Sequence, residues 1–427
     1  MMKYYEWTNK IERGEINRLL IELYGSGNLE NQKKRYSSSV KTFMKLYPER
    51  DEFSIFSAPG RTEIGGNHTD HQQGCVLAAA VDLDVIAIVS FHEEGIIRVK
   101  SEGYPEDIVD LSDINVNECK FGTSAELIRG IAAYFINKGV KIGGFDAYTT
   151  SNVIGGAGLS SSAAFEVLIA TIINEQYNNG KADNIEIAKI GQYAENIYFG
   201  KKCGLMDQMA CATGGLVFID FGDTDNPIVE KHMYDFSKDS INICITDTKG
   251  SHANLTDDYE AVFTEMHQIA SYFGKPYLRL VSETDFYNAI PLLRIRSSDR
   301  AVMRAAHFFN ENNRAIEEAE ALEENNIMRF LSLVRESGNS SSKFLQNLYS
   351  PQNPLQQEIP LAIMISEKML LGNGAVRVHG GGFAGTIQAF VPNEKLNTYK
   401  LSMEKLFGEN SCHIIKIRPY GGIKMFV

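Results

Sequence analysis

Cysteine pairs, long apolar runs and an excess of basic charge are all missing from this chain. Its six cysteines are scattered and include no C-x-x-C pair, so free thiols are expected instead of a disulfide scaffold. No apolar run reaches the roughly 18–20 residues that span a bilayer. The first residues, Met1 to Trp7, lack the apolar core of a signal peptide. These absences predict a cytoplasmic protein that does not enter a membrane.

The charge balance argues against nucleic acid as a partner. Acidic residues number 54 against 42 lysines and arginines, which gives a formal net charge of −12. Nucleic acids and anionic membranes bind through clustered cationic charge, so neither is expected here. The chain has 427 residues, and single hydrophobic cores stop growing at roughly 250–300 residues. Two lobes are therefore expected.

The apolar periodicity predicts the main structural elements. Residues 1–50 are polar and are expected to form helices on the outside of the first lobe. Strands are expected at 75–89, 144–152 and 241–246, a long helical stretch at 298–335, and a strand-loop-strand unit around 374–391. The turn-forming residues at 222–227 mark a possible boundary.

A glycine run followed by three serines is the most informative segment. Its candidate phosphate-binding residues are Gly155, Gly156, Ala157, Gly158, Leu159, Ser160, Ser161 and Ser162. The glycines allow the backbone to approach a ligand, and the serines stand where an apolar-periodic helix begins, so free N–H groups and the helix dipole would face an anion. A plain turn has the same composition and is the alternative. A Walker motif and the third glycine of the dinucleotide fingerprint are absent.

Further segments of the chain resemble motifs of a known protein family. With Ala58–His71 and Val376–Gly385, the serine loop resembles the three signature motifs of the GHMP sugar and isoprenoid kinases, in the same order. Cys203–Gln208 and Ile245–Tyr259 resemble segments of the galactokinase branch. The resemblance extends from about residue 21 to the C-terminus.

The resemblance implies a two-lobed α+β fold of the GHMP kinase type. Its N-terminal lobe would be like domain 2 of ribosomal protein S5 and its C-terminal lobe ferredoxin-like, with the active site in the cleft. We expect the first lobe, with the sugar motif and the phosphate loop, at residues 1–225 and the second at 226–427. A monomer is expected.

The implied reaction is transfer of the ATP γ-phosphate to the anomeric hydroxyl of galactose. Such a transfer requires a positioned donor, a divalent cation and help for the attacking hydroxyl. By resemblance, Asp207 is the general base, Arg61 stabilises the developing charge, and Ser162 and Glu195 bind Mg²⁺. Without the resemblance, Asp207 could cap a helix, Glu195 could lie on a helix surface and Arg61 could be solvated. Cys203 is interpreted as an inert thiol.

Sugar-binding residues also follow from the resemblance. They are Asn67, His68, Asp70, Gly204 through its backbone, and Tyr259. A metal site at the histidines near Asp70 is the less favoured alternative, because their spacing fits no zinc pattern.

The chain departs from the galactokinase pattern within the sugar motif. Asn67 replaces a glutamate that holds the sugar's O6 hydroxyl in the family, Glu63 replaces an asparagine, and His71 replaces a tyrosine. Because an amide tolerates a C6 carboxylate that a glutamate would repel, galacturonate is an alternative substrate. A non-catalytic galactose sensor is the alternative from another class, although the retained serines and Asp207 favour an enzyme.

A further departure concerns the nucleotide base. The family's aromatic pattern before the serine loop is replaced by Ser124 and Leu127. The aromatic wall around the base is therefore missing, and relaxed base selectivity is expected.

Overall fold

The computed structural model describes residues 1–155, 158–250 and 255–425, which form two β-sheets covered by helices. In chain order the strands are β1 (Met2–Lys3), β2 (Glu52–Gly65), β3 (Cys75–Phe91), β4 (Ile96–Ser101), β5 (Glu106–Asp110), β6 (Gly144–Ser151), β7 (Leu216–Asp220), β8 (Ile228–His232), β9 (Ile241–Asp247), β10 (Ala375–His379), β11 (Thr386–Pro392), β12 (Cys412–Ile415) and β13 (Ile423–Lys424). The α-helices are α1 (Tyr4–Glu12), α2 (Asn17–Tyr24), α3 (Leu29–Leu46), α4 (Ser124–Asn137), α5 (Ser161–Tyr177), α6 (Asn184–Tyr193), α7 (Met206–Thr213), α8 (Thr256–Tyr272), α9 (Glu283–Arg296), α10 (Asp299–Glu323), α11 (Ile327–Ser340), α12 (Glu358–Leu370) and α13 (Leu396–Phe407). Two π-helical segments, Ala194–Phe199 and Ser341–Leu345, follow α6 and α11.

The larger sheet has nine strands among the described residues. Its main order is β1-β2-β3-β6-β4-β5, with β13 beside β2 and the β7–β8 pair beside β3. All pairs are antiparallel except β4 with β6. The long strand β3 pairs with β7 through its first half and with β6 through its second half. Its almost fully buried, apolar sequence is what a strand covered on both faces requires.

The smaller sheet has the order β10-β11-β9-β12 and is antiparallel throughout. It supports the Val376–Gly385 segment at the end of β10. Strand β8, at Ile228–His232, belongs to the larger sheet, and β13 returns the end of the chain to that sheet. The expected α+β architecture is confirmed.

The long helical stretch expected from Ser298 to Arg335 consists of two helices. The oxygen of the Ser298 side chain caps α10 by accepting from the N–H of Ala301 at 3.1 Å. After α10 the backbone of Asn325 takes a left-handed conformation with φ of 54°. Asn326 then caps α11 by accepting from the N–H of Arg329 at 3.1 Å. Asparagine tolerates the left-handed region and is a good cap, so the chain reverses between two periodic segments.

The other expected elements are present. Helices α1–α3 cover the outside of the larger sheet, strands occupy the predicted positions, and α5 begins at Ser161 directly after the glycine run. No helix in the described part of the chain is long and apolar enough to cross a membrane.

Candidate active site

Arg61 and Asp207 form the centre of the site. Arg61 lies on β2, where the strand register shifts between Pro59 and Arg61, and such a bulge re-aims the side chain. Its Nε and Nη2 atoms donate to the two carboxylate oxygens of Asp207 at 2.8 and 2.7 Å. Asp207 lies in the first turn of α7. The two residues lie 146 positions apart in the sequence, and the two parallel hydrogen bonds fix both side chains.

The serine loop contacts the same pair. The N–H of Arg61 donates to the carbonyl of Leu159 at 3.0 Å, and its Nη1 donates to the carbonyl of Gly158. Ser160, which has a left-handed φ of 53° before α5, donates its hydroxyl to Asp207. The start of α5 is thereby held beside the carboxylate. The candidate residues Gly156 and Ala157 lie outside the described residues.

The electrostatics keep Asp207 ionised. Burial alone would raise the pKa of its carboxyl, but the Arg61 guanidinium and the Ser160 hydroxyl hold the pKa below its usual range. Its side chain keeps 32% of its exposure, whereas Arg61 is 7% exposed. A charged carboxylate therefore remains accessible in front of a buried cation.

A second acidic group lies behind this pair. Glu195 is in the π-helical segment Ala194–Phe199 and is 3% exposed. Its Oε1 accepts from Nζ of Lys201 at 3.0 Å and its Oε2 from Nε2 of Gln208 at 2.9 Å. The same Gln208 nitrogen donates to Oε2 of the buried Glu166 at 2.9 Å. Burial and the nearby Glu195 raise the pKa of Glu166 to about 8.

The donor set near the start of α5 suits a hard divalent cation. Ser162 offers a hydroxyl in the first turn of the helix, and Glu195 offers a carboxylate. Oxygen ligands of this kind are those that Mg²⁺ prefers. Gln208 connects Glu195 to α5 through Glu166, so the element that carries Glu195 is held against the helix that carries Ser162.

Three of the predicted sugar-binding residues donate hydrogen bonds to the glycine loop after β10. The Asn67 amide donates to the carbonyl of Gly380 at 2.8 Å, His68 Nε2 donates to that of Gly381 at 2.9 Å, and the Tyr259 hydroxyl donates to that of Gly382 at 3.0 Å. A Cβ on Gly381 would lie 2.6 Å from the Tyr259 ring, so only glycine allows this approach. The sugar motif and the C-terminal motif are thus bound to each other.

Asn67 is fully buried and its side chain is saturated by protein groups. Its Nδ2 also donates to Glu63 at 3.0 Å, and its Oδ1 accepts from Asn347 at 3.0 Å and from Ser341 at 3.4 Å. Glu63 in turn pairs with the buried Arg377. Relative to the family pattern, Glu63 and Asn67 have exchanged the carboxylate and the amide, and the two side chains are hydrogen-bonded to each other. Contact between Asn67 and a sugar would require the loss of one of these bonds.

Asp70 and Gly204 approach each other closely. A Cβ on Gly204 would lie 2.5 Å from Oδ2 of Asp70. Burial, together with the charges of Asp207 and Glu63, raises the pKa of Asp70 to about 6. The backbone of Gly204 therefore lies against the side chain of Asp70, and Asp207 is near enough for its charge to act on Asp70.

The residues at the expected base-binding pattern lie on α4. The Ser124 hydroxyl donates to Asp107 at 2.6 Å, and Leu127 is buried in the main apolar core.

Several residues that contribute to the site are not predicted from the sequence. The sequence predicts no role for Gln208, which follows Asp207. Glu166 is the one acidic residue in the apolar first half of α5, and an acid in such a position is a sequence signal for a buried functional group. His379 packs against Gly158, where an added Cβ would lie 3.1 Å from its Nδ1. Asn347, which binds Asn67 from 280 positions away, gives no local signal.

The fold and the serine loop at the start of α5 define a kinase of the GHMP class. Residues 126–215 match the family model of the GHMP kinases N terminal domain. The mevalonate kinase of Methanococcus jannaschii has a similar structure, with a TM-score of 0.60 at 16% identity over 86% of this chain and 99% of that one.

The chain belongs to the galactokinase family. Residues 41–91 match the galactokinase galactose-binding signature. The chain is 32% identical to the galactokinase of Glaesserella parasuis over 83% of its own length and 88% of the relative's. It is 28% identical to that of Clostridium tetani over 97% and 96%. The Lactococcus lactis galactokinase complexed with galactose gives a TM-score of 0.77 at 21% identity, over 90% of this chain and 98% of that one.

Proposed function

We propose that this protein is an ATP-dependent sugar 1-kinase that phosphorylates the anomeric hydroxyl of galactose. The observation that carries the proposal is the Arg61–Asp207 pair, which stands beside the serine loop at the start of α5. A non-catalytic sensor would need no general base.

In this proposal Asp207 orients the attacking hydroxyl and accepts its proton. Its lowered pKa makes it a weak base, so the proton transfers late, as the loose transition state of phosphoryl transfer allows. Arg61 is fixed by two bonds and places its charge where the alkoxide and the phosphoryl group develop negative charge. The N-terminus of α5 and the glycine loop are proposed to hold the nucleotide phosphates.

Ser162 and Glu195 are the proposed holders of Mg²⁺. When bound, this cation neutralises charge on the phosphates. For Glu195 to serve as a ligand, its bond with Lys201 must be released or shared, because the ammonium occupies Oε1.

His68, Asp70, Gly204 and Tyr259 are the proposed contacts for the sugar hydroxyls, with Asn67 at the position related to C6. The Asn67 amide is already bonded to Glu63, Gly380 and Asn347, so it has no free group that would favour a uronate over galactose. We also propose a division into lobes near residue 225, with β8 and β13 added to the first lobe's sheet, and a cytoplasmic monomer.

A nucleotide-consumption assay tests this function. Purified protein with Mg-ATP would be offered galactose, galacturonate, N-acetylgalactosamine, glucose and arabinose, and the product would be analysed for phosphate at C1. Galactose is expected to give the highest kcat/KM. A higher value for galacturonate would reject the proposed substrate, and binding of galactose without turnover would favour the sensor.

A further inference from the structure

One amide nitrogen bridges two buried carboxyl groups next to the proposed site. Nε2 of Gln208 has two hydrogens, and it donates to Glu166 and to Glu195 at 2.9 Å each. All three residues are at most 3% exposed. Both hydrogens of the nitrogen are therefore used, with the Cys203 sulfur as a longer contact at 3.7 Å, and its position is fixed by the two carboxyl groups.

The three residues belong to the three elements that carry the proposed chemistry. Glu166 stands one helical turn after Ser162 on α5, so both side chains lie on the same face of that helix. Gln208 follows Asp207 in the first turn of α7, and Glu195 is itself the proposed carboxylate ligand. One nitrogen therefore connects the three elements that carry the proposed hydroxyl ligand, the proposed carboxylate ligand and the proposed base.

Protein stability does not explain this arrangement. Oε1 of Glu166 and Oε1 of Gln208 are buried and have no hydrogen-bond partner among the described residues. Buried polar atoms without partners are costly, and replacing buried charged groups by apolar side chains of similar volume is often neutral or stabilising. The polar residues are retained at a cost, which indicates a role in the site.

We propose that Glu166 is a positioning residue for the cation site, which acts through Gln208 to hold Glu195 in place. This inference rests on the proposed function, because it assigns Glu195 to the cation. Outer-shell partners of this kind orient a metal-binding carboxylate, and their loss typically weakens metal affinity by about 10–100-fold.

The variants Glu166→Met, Gln208→Met and Glu166→Gln separate positioning from packing. Methionine keeps the approximate volume but removes the acceptor or the donor, whereas glutamine at 166 keeps an acceptor for Gln208. Thr171→Val is the matched control, since Thr171 is a buried polar residue of the same helix whose hydroxyl, among the described residues, donates within its own helix to the carbonyl of Val167 at 2.7 Å.

The main measurement is the affinity for Mn²⁺ in the presence of a non-hydrolysable ATP analogue, followed by electron paramagnetic resonance. Galactose affinity and Tm are measured on the same samples. Glu166→Met and Gln208→Met are expected to weaken Mn²⁺ binding by about 10–100-fold while galactose affinity is unchanged. Glu166→Gln and Thr171→Val are expected to stay near the wild-type value.

Unchanged Mn²⁺ affinity in both methionine variants would overturn the inference, even if the wild type phosphorylates galactose. Equal losses in Glu166→Gln and Glu166→Met would also overturn it, because the charge and not the acceptor would then matter. A wild type that phosphorylates no sugar, but whose Mn²⁺ affinity falls in the methionine variants, would reject the proposed function and support the positioning role.

Discussion

Replacement of Asp207 by asparagine removes the charge in front of Arg61 and barely changes the side-chain shape. In the wild type, two N–H groups of Arg61 meet two carboxylate oxygens at 2.7 and 2.8 Å. Asparagine offers one acceptor, so one of these N–H groups would face an NH₂ group. Leaving one buried donor unpaired costs about 1–3 kcal/mol, and the value should fall at the low end because Asp207 is 32% exposed to water.

The effect on turnover should be larger than the effect on stability. Loss of a general base typically lowers the rate by about 10²–10⁴-fold, which corresponds to roughly 3–5 kcal/mol of the activation barrier. We would measure kcat with galactose and Mg-ATP, galactose affinity by calorimetry, and Tm. Asp225→Asn, at an exposed position between β7 and β8, is the control and should behave like the wild type.

The expected result is a folded variant that binds galactose and has lost most of its turnover. Turnover within about tenfold of the wild type would refute the role of Asp207 as the base. If turnover and galactose binding fall together in proportion to a lowered Tm, the carboxylate has a structural role only.

The remaining predictions concern the loop, the sugar motif and pH. Ser162→Ala should weaken Mg-ATP use by loss of a ligand, and Gly158→Val should do so because Gly158 has a φ of 67° and an added Cβ would lie 3.1 Å from His379; normal nucleotide KM in both would mean that the loop is only a turn. Asn67→Glu should lower Tm because it sets a second carboxylate beside Glu63, a like-charge contact that costs about 1–4 kcal/mol at effective dielectrics of about 80 to 20. The double variant Glu63→Asn with Asn67→Glu again pairs one amide with one carboxylate and should recover Tm, and its failure to do so would contradict the exchange. The pKa of Asp70, raised to about 6, lies above its unfolded value, so its contribution to stability is complete below pH about 4 and is lost as the pH rises through about 6; urea unfolding should show a smaller loss over this range in Asp70→Asn than in the wild type, because burial also raises the pKa of Asp82 to about 6 and that carboxyl remains in both.

Several features of the site could be predicted from the sequence because they depend on neighbours in the chain. The glycine run, the three serines and the apolar period together predict a loop at the start of a helix, and α5 begins at Ser161. Apolar segments predict the strands β3 and β6, which are buried in the core. Turn, cap and periodicity signals act over a few residues, so they can be read without the fold.

Contacts between distant segments were decided only by the tertiary structure. The sequence predicts that Asn67 contacts the sugar at C6, and this stays a prediction. Only the fold shows that its side chain bonds to Gly380, Asn347 and Glu63, the first two of which lie 313 and 280 positions away. The bridge through Gln208 also joins three separate helical elements. Sequence patterns specify which residues can donate or accept a hydrogen bond. Which partner each one meets depends on how the helices and sheets pack, because burial removes water as the competing partner and leaves only the groups that the fold brings within reach.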